Sequence, residues 1–298
     1  MSRPLTTVDL PDGRTLAYAE WGDPAGRPIV TCHGTPGCRL NRHPNQDLVR
    51  STGARVIAFD RPGYGRSTRN AGRRVVDVVP DVVALVDHLG LDEFAVVGGS
   101  GGGPHALAVA ASLPDRVTRV GCIVGVASYE ALGDEWFTGM DPMNVKEFGW
   151  ALEGEQRLQQ ELSREDTEMR ERVARDPATV LGAFDLPPSD REVLARADVA
   201  TVIRESTAEQ SANGVWGWVD DDLAFTRSWG FDLATLARPA AVWWGVADVL
   251  VPAQHGEWLA ATVPTAVPRV REGRGHQPDP DRDVVVLNRW LLDGVPWD

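Results

Sequence analysis

The chain of 298 residues is long enough to bury a large core, either as one α/β domain of generous size or as a core with an inserted subdomain. Its composition, 43% hydrophobic and 24% charged, is ordinary for a soluble globular protein. The formal net charge of −13 argues against nucleic acid or an anionic membrane surface as the main partner, because both require basic patches, and it favours neutral or cationic ligands.

Short apolar segments alternate with helical patterns along the first part of the chain. Segments 6–10 and 16–21, separated by a turn, predict a β-hairpin. Further strands are predicted at 28–32, 54–60, 94–99 and 117–127, with helices at 75–90 and 104–112. Near-continuous apolar strands that alternate with helices indicate a mostly parallel sheet covered on both faces.

This alternation stops near Glu130, and the chain is then helical and charged to about residue 236. Strands at 239–245 and 266–272 and helices at 253–263 and 283–292 follow. The sequence therefore predicts an α/β core formed by residues 1–129 and 237–298, with residues 130–236 inserted as a helical cap of ordinary subdomain size.

The cysteines and the N-terminal segment indicate the compartment. Three cysteines without regular spacing do not form a disulfide framework. The N-terminal segment has no apolar signal core, and no apolar run approaches the ~20 residues of a membrane helix. We therefore expect a cytoplasmic protein with reduced cysteines.

A glycine-rich run, GGSGGG, lies between a predicted strand and a predicted helix. It fits the pattern G-x-S-x-G of a nucleophile elbow, in which a sharp turn lifts Ser100 above the sheet. Gly98 and Gly102 meet the need for small residues on both sides of that turn. A phosphate-binding loop is the alternative, but the run follows several strands and no acidic residue follows about 20 positions later.

A serine nucleophile requires a base, and the base requires an acid that fixes its tautomer. His276 is the predicted base, because its glycine-rich loop after the last strand lies at the carboxyl edge of the sheet. Asp248, just beyond a strand, is the predicted acid, with Glu130 as an alternative. The other histidines have different expected roles: His33 shapes a loop, His43 and His255 lie in polar and exposed stretches, His88 ends a helix, and His105 packs behind Ser100.

Two backbone N–H groups are expected to stabilise an oxyanion. One belongs to Gly101, the residue after the serine. The other belongs to Thr35 in the loop HGTPG, since Pro36 has no N–H and Gly34 forms the turn. No metal or cofactor is predicted.

Through these motifs the sequence resembles the α/β-hydrolase superfamily, in the branch that has a helical cap after the sixth strand. The matching segments are HGTPG, FDRPGYGRS, GGSGGG, GVADVLVP and GRGHQ, in the order of that family. The resemblance implies an eight-stranded, mostly parallel sheet and metal-free acyl chemistry. It implies Ser100 as nucleophile, Asp248 as acid and His276 as base, with Thr35 and Gly101 as oxyanion donors.

The expected activity is hydrolysis of an ester or lactone of a small, fairly apolar molecule. An aminopeptidase similar to proline iminopeptidases is one alternative, and a non-hydrolytic binder or epimerase of the same fold is another. The expected partner is a small-molecule substrate, and the sequence leaves the oligomeric state open.

Substrate selection is assigned to the cap. His33, Trp136, Trp216 and Trp218 are candidate pocket residues, with the alternative that the tryptophans only attach the cap to the core. The run Asp220-Asp221-Asp222 is expected to be a solvated helix start, with an anchor for a substrate amine as the functional alternative.

Overall fold

In the computed structural model, which describes residues 5–297, eight strands alternate with helices along the chain. The strands are β1 (Thr6–Asp9), β2 (Thr15–Gly22), β3 (Arg27–Cys32), β4 (Ala54–Phe59), β5 (Phe94–Gly99), β6 (Val117–Ile123), β7 (Ala240–Gly245) and β8 (Ala266–Arg271). They form one sheet in the order β1-β2-β4-β3-β5-β6-β7-β8. Only β2 runs antiparallel to its two neighbours; the other adjacent pairs are parallel. The predicted hairpin and the mostly parallel sheet are confirmed.

Helices cover both faces of the sheet, because its central strands are apolar on both sides; every residue of β7 is buried. The core helices are α1 (Gln46–Ser51), α2 (Val79–His88), α3 (Gly102–Ser112), α10 (Ala253–Thr262) and α11 (Asp283–Asp293). Buried residues of α2, α3 and α10 pack in one apolar cluster, and those of α1 and α11 pack in another on the opposite face.

Between β6 and β7 the chain is helical. These helices are α4 (Tyr129–Leu132), α5 (Pro142–Glu153), α6 (Glu155–Arg175), α7 (Pro188–Leu194), α8 (Ala197–Gln210) and α9 (Trp216–Phe225). Leu158, Leu162 and Met169 recur on one face of α6 and pack with Trp150 and Trp218 into a separate apolar cluster. The boundaries 130–236 for the cap stay a prediction. Within residues 5–297, every helix is too short or too polar to form a transmembrane span.

Three predicted boundaries differ from the structure. The strand expected to reach residue 127 ends at Ile123, where Val124 takes a positive φ of 46° and leaves the extended conformation. The helix expected from residue 75 opens with a 3-10 turn at Val75–Val78 before α2. Helix α3 begins at Gly102, two residues earlier than predicted, because the turn after β5 leads directly into it.

Candidate active site

Ser100 occupies a strained turn between β5 and α3. Its φ of 53° lies in the left-handed region that residues with a side chain rarely adopt. A Cβ at Gly98 would lie 2.0 Å from the carbonyl oxygen of Gly102, and one at Gly102 would lie 2.2 Å from that of Cys32. No side chain fits at either position, so the two glycines permit the sharp turn that the sequence predicts.

His276 and Asp248 meet at the carboxyl edge of the sheet. The Nδ1–H of His276 donates to Asp248 Oδ2 over 2.7 Å. The other carboxylate oxygen, Oδ1, accepts from the backbone N–H groups of Leu250 and Val251 at 2.9 and 3.0 Å. These bonds fix the carboxylate and the tautomer of the ring, so Nε2 is the ring nitrogen that can take a proton. Glu130, the alternative acid, is exposed on α4.

Charge governs the protonation of His276. Burial alone would lower the pKa of the imidazole, but the charge of Asp248, its hydrogen bond to the ring and the charge of Asp190 together outweigh burial and the opposing charge of Arg271. The pKa of His276 therefore lies above its ordinary value. An imidazolium formed at this position is stabilised.

One cavity of about 620 Å³ joins the elbow to the cap. Ser100 and His276 both line it, and no hydrogen bond joins their side chains among residues 5–297. Its cap wall is largely apolar and aromatic: Phe148, Trp150, Met169, Phe184, Leu194 and Trp218. A cavity of this size accepts a small organic molecule.

The two predicted oxyanion donors are close together. Thr35 and Gly101 line the cavity beside Ser100, and a Cβ at Gly101 would lie 2.3 Å from Thr35 Oγ1. Neither backbone N–H donates a hydrogen bond to another group in the described part of the chain.

A carboxylate of the cap holds the loop that carries Thr35. Asp221 Oδ2, on α9, accepts from Thr35 Oγ1 at 2.7 Å, from the Tyr64 hydroxyl at 2.8 Å and from the Arg61 guanidinium. Arg73 Nη1 lies 2.7 Å from the other oxygen. Arg61 also donates to the carbonyl oxygen of His33. The loop is thus tied to the cap through buried charges.

Asp221 is ionised at neutral pH. Burial alone would raise its pKa, but Arg61 and Arg73 hold the pKa well below its ordinary value. Sequence reasoning missed this role of Asp221, and it was wrong in expecting the run Asp220-Asp221-Asp222 to be solvated. These residues are not a solvated helix start: they lie inside α9 and each is at most 1% exposed.

A second cap carboxylate holds the loop that carries His276. Asp190, on α7, accepts from the backbone N–H groups of His276 and Gln277 at 2.8 and 3.0 Å. The neighbouring Ser189 Oγ accepts from the N–H of Gly275 at 3.1 Å. Sequence reasoning missed both residues, because nothing in the segment LPPSDREVL indicates contact with a loop 86 residues later.

The predicted pocket residues separate into two groups. His33 and Trp218 line the cavity. Trp136 is fully buried in the core cluster and donates its Nε1–H to the carbonyl oxygen of Ala127. Trp216 lies under the guanidinium of Arg69, 3.9 Å from the ring centroid. Neither Trp136 nor Trp216 is among the described residues that line the cavity, so both fit the alternative of attaching cap to core.

Two further histidines, His255 and His105, hold structure through hydrogen bonds to the backbone. His255 is buried and not exposed as expected: it accepts from the Ala127 N–H at 3.0 Å and donates to the Trp136 carbonyl at 2.9 Å. Burial lowers its pKa to about 4. His105 packs behind the elbow as predicted, and its Nδ1–H donates to the carbonyl of Gly101 at 2.9 Å.

Two carboxyl groups lie at the cap end of the cavity. Glu147 and Asp222 both belong to its lining, and the Nε1–H of Trp218 donates to Glu147 Oε1 at 2.8 Å. Burial and the repulsion between the two groups raise the pKa of Asp222 well above its ordinary value. Burial also raises the pKa of Glu147. The cavity thus combines an apolar wall with one acidic patch.

No three His, Cys, Asp or Glu side chains within residues 5–297 are grouped so that they would hold a metal ion. The cavity presents the Ser100 hydroxyl and the His276 ring beside the backbone N–H groups of Thr35 and Gly101.

A model of the alpha/beta hydrolase fold family matches residues 27–278. The chain belongs to this family. A solved alpha/beta hydrolase fold protein from Chitinophaga pinensis superposes with a TM-score of 0.70 over 99% of this chain and 98% of that one, at 16% identity. The shared fold accounts for the sheet order and for the elbow after β5.

Curated relatives match the chain only in part. A proline iminopeptidase of Xanthomonas citri is 34% identical over 136 residues, which are 44% of this chain and 42% of the relative. A non-heme chloroperoxidase of Streptomyces lividans is 38% identical over 151 residues, 50% of this chain and 54% of the relative. The chain therefore spans about half the length of these relatives or less, and neither activity transfers to it through similarity alone.

Proposed function

We propose that this alpha/beta hydrolase is a serine hydrolase that cleaves an ester or lactone of a small, fairly apolar molecule through an acyl-enzyme. The observation that supports it best is the buried Asp248–His276 pair, whose ring lines the same cavity as the strained Ser100. The same geometry is compatible with several acyl substrates, and the apolar cap wall favours an apolar one.

In the proposed mechanism, His276 Nε2 takes the proton of Ser100 as Oγ attacks the substrate carbonyl carbon. The carbonyl oxygen becomes an anion and accepts hydrogen bonds from the N–H groups of Thr35 and Gly101. His276 then protonates the leaving alkoxide, and an acyl group stays on Ser100. Water, deprotonated by His276, attacks this acyl group; the bond to Ser100 Oγ then breaks, Oγ takes the proton back from His276, and the acid is released. The Ser100–His276 hydrogen bond forms when substrate is bound, because such contacts are often longer in empty sites.

Asp248 keeps the ring in the required tautomer throughout and balances the imidazolium charge that forms in both steps. The two donors of the oxyanion site act where charge develops, and each is typically worth about 10²–10³ in rate.

The first test is Ser100→Ala. We expect turnover of p-nitrophenyl esters to fall by roughly 10⁴–10⁶ and labelling by a fluorophosphonate probe to disappear. Ser67→Ala is the matched control, since Ser67 is a buried serine outside the cavity that accepts from the Ala17 N–H. Near-normal turnover by Ser100→Ala would refute the assignment, and a wild-type Ser100 that never reacts with the probe would favour a non-hydrolytic binder or epimerase.

A second candidate activity is an aminopeptidase that acts on a substrate with a free amine. The acidic patch formed by Glu147 and Asp222 favours it, because a buried carboxylate pair is stabilised by a cation. The partial similarity to a proline iminopeptidase also supports it.

Glu147→Gln tests this second activity. If the substrate carries an amine, the kcat/KM for aminoacyl anilides should fall about 10- to 100-fold, with a much smaller effect on neutral esters, because one charge-assisted contact is lost. Glu161→Gln is the matched control, since Glu161 is a cap glutamate paired with Arg157 and Arg164 outside the cavity lining. Absence of anilide hydrolysis by the wild type would exclude the aminopeptidase and leave the ester hydrolase.

A further inference from the structure

We propose that Asp190, a residue of the cap, is the positioning residue of the catalytic base: it holds the loop Gly275–Gln277 in place and faces His276 with a second negative charge. This inference rests on the proposed function, because it assigns His276 the role of base.

The contacts are directed at the backbone on both sides of the base. Asp190 Oδ2 accepts from the His276 N–H at 2.8 Å, and Oδ1 accepts from the Gln277 N–H at 3.0 Å. Ser189 Oγ accepts from the Gly275 N–H as well. Three consecutive amides of this loop therefore donate to two adjacent residues of α7. A loop held by three hydrogen bonds at successive residues has little freedom to turn its central side chain.

Packing makes the arrangement tight. Asp190 is fully buried, and a Cβ at position 275 would lie 2.5 Å from its Oδ2. Gly275 therefore permits the close approach of the loop to α7. Asp190 forms no ion pair in the part of the chain that the structure describes, so the amides of the loop are its hydrogen-bond partners. A buried carboxylate with such partners is expensive to displace.

The charge of Asp190 acts on the same ring that Asp248 orients. The charged groups that face His276 are Asp248 from the loop after β7, Asp190 from α7 and Arg271 from the end of β8. Both carboxylates favour the imidazolium, whereas Arg271 opposes it. Because the ring gains a proton as the serine attacks, Asp190 lowers the barrier in the same direction as Asp248 does.

The position of these residues gives the cap a catalytic task. Ser189 and Asp190 lie at the start of α7, whereas Ser100, Asp248 and His276 lie on the core. The base is therefore correctly placed only while α7 rests against its loop.

The test is the rate of fluorophosphonate labelling of Ser100 as a function of pH, which needs no knowledge of the substrate. His276 must be neutral to act as base, so labelling rises with pH through its ionisation. In Asp190→Asn we expect the midpoint of this rise to move about one pH unit lower and the maximal rate to fall about 10- to 100-fold. Ser189→Ala is the matched control: it loses one neutral hydrogen bond, keeps the midpoint and lowers the rate only a few-fold.

Asp190→Glu keeps the inference testable if Asp190→Asn does not fold. The longer side chain retains the charge but pushes the loop, so the maximal rate should fall about tenfold or more while the midpoint stays near that of the wild type. Wild-type rates and midpoints in the Asn and Glu variants would overturn the positioning role. If Ser100→Ala loses labelling while the Asp190 variants behave like the wild type, the proposed function stands and only the positioning role fails. If labelling persists in Ser100→Ala, the proposed function itself is overturned.

Discussion

The two loops that complete the site are both held by a buried carboxylate of the cap, but in different ways. The loop with His276 offers its own amides to Asp190. The loop with Thr35 reaches Asp221 through side chains, and Asp221 also balances the guanidinium groups of Arg61 and Arg73. The first contact is local and acts on one loop, whereas the second is part of a buried charge network that joins the cap to the core.

This difference predicts which carboxylate matters for stability and which for catalysis. Neutralising Asp221 leaves two buried cations without their partner, because both arginine side chains are at most 1% exposed. Neutralising Asp190 leaves no cation unpaired.

The largest effect is expected for Asp221→Asn, which tests this difference between the two carboxylates. Because removing one member of a buried ion pair is strongly destabilising, we expect the free energy of unfolding to fall by about 3–5 kcal/mol in a urea titration. Asp220→Asn is the matched control on the same helix. Asp220 is buried as well, but its partner Arg69 is 26% exposed and also contacts Glu155, so the remaining cation stays hydrated and a smaller loss of about 1–2 kcal/mol is expected.

Equal losses in Asp220→Asn and Asp221→Asn would show that the network around Asp221 has no special weight.

A smaller effect is expected for Thr35→Val, which keeps the shape of the side chain but removes its hydroxyl. The hydroxyl donates to Asp221 and accepts from Arg61 at 3.0 Å, so the loop loses its direct hydrogen bond to the cap while the charges stay paired. We expect about 1 kcal/mol of stability to be lost and kcat to fall about tenfold with little change in KM, since the oxyanion donor moves. A change in KM alone would contradict the link between this hydroxyl and the oxyanion donor.

Much of the fold follows from local pattern. The strand and helix periods, the turn at Gly98–Gly102 and the loop with His276 are all encoded within short segments, so the sheet and the elbow were predictable. The Asp248–His276 contact was predictable because the two residues lie in the loops that follow neighbouring parallel strands, and such loops meet at one edge of a sheet.

The cap carboxylates were not predictable in the same way, because their partners lie far away in the chain. Arg61 and Asp221 are 160 residues apart. One signal was present: the three aspartates stand within the apolar run WGWV-DDD-LAF, which is typical of a buried helix, and an arginine-rich segment follows β4. Charges in an apolar helix require buried partners of opposite sign. The prediction for His255 was wrong because its neighbours in the sequence are polar, although the ring is buried and forms hydrogen bonds with two backbone groups in the core.

The hydrogen bonds that Asp190 and Asp221 accept restrict how this protein can be rebuilt. A chimera that grafts the cap of a relative onto this core would receive a new substrate cavity but would forfeit both anchors unless the donor supplies an acidic residue at each place. Under the proposed function, substrate specificity and turnover would therefore change together, and a transplanted cap would have to carry both acidic residues.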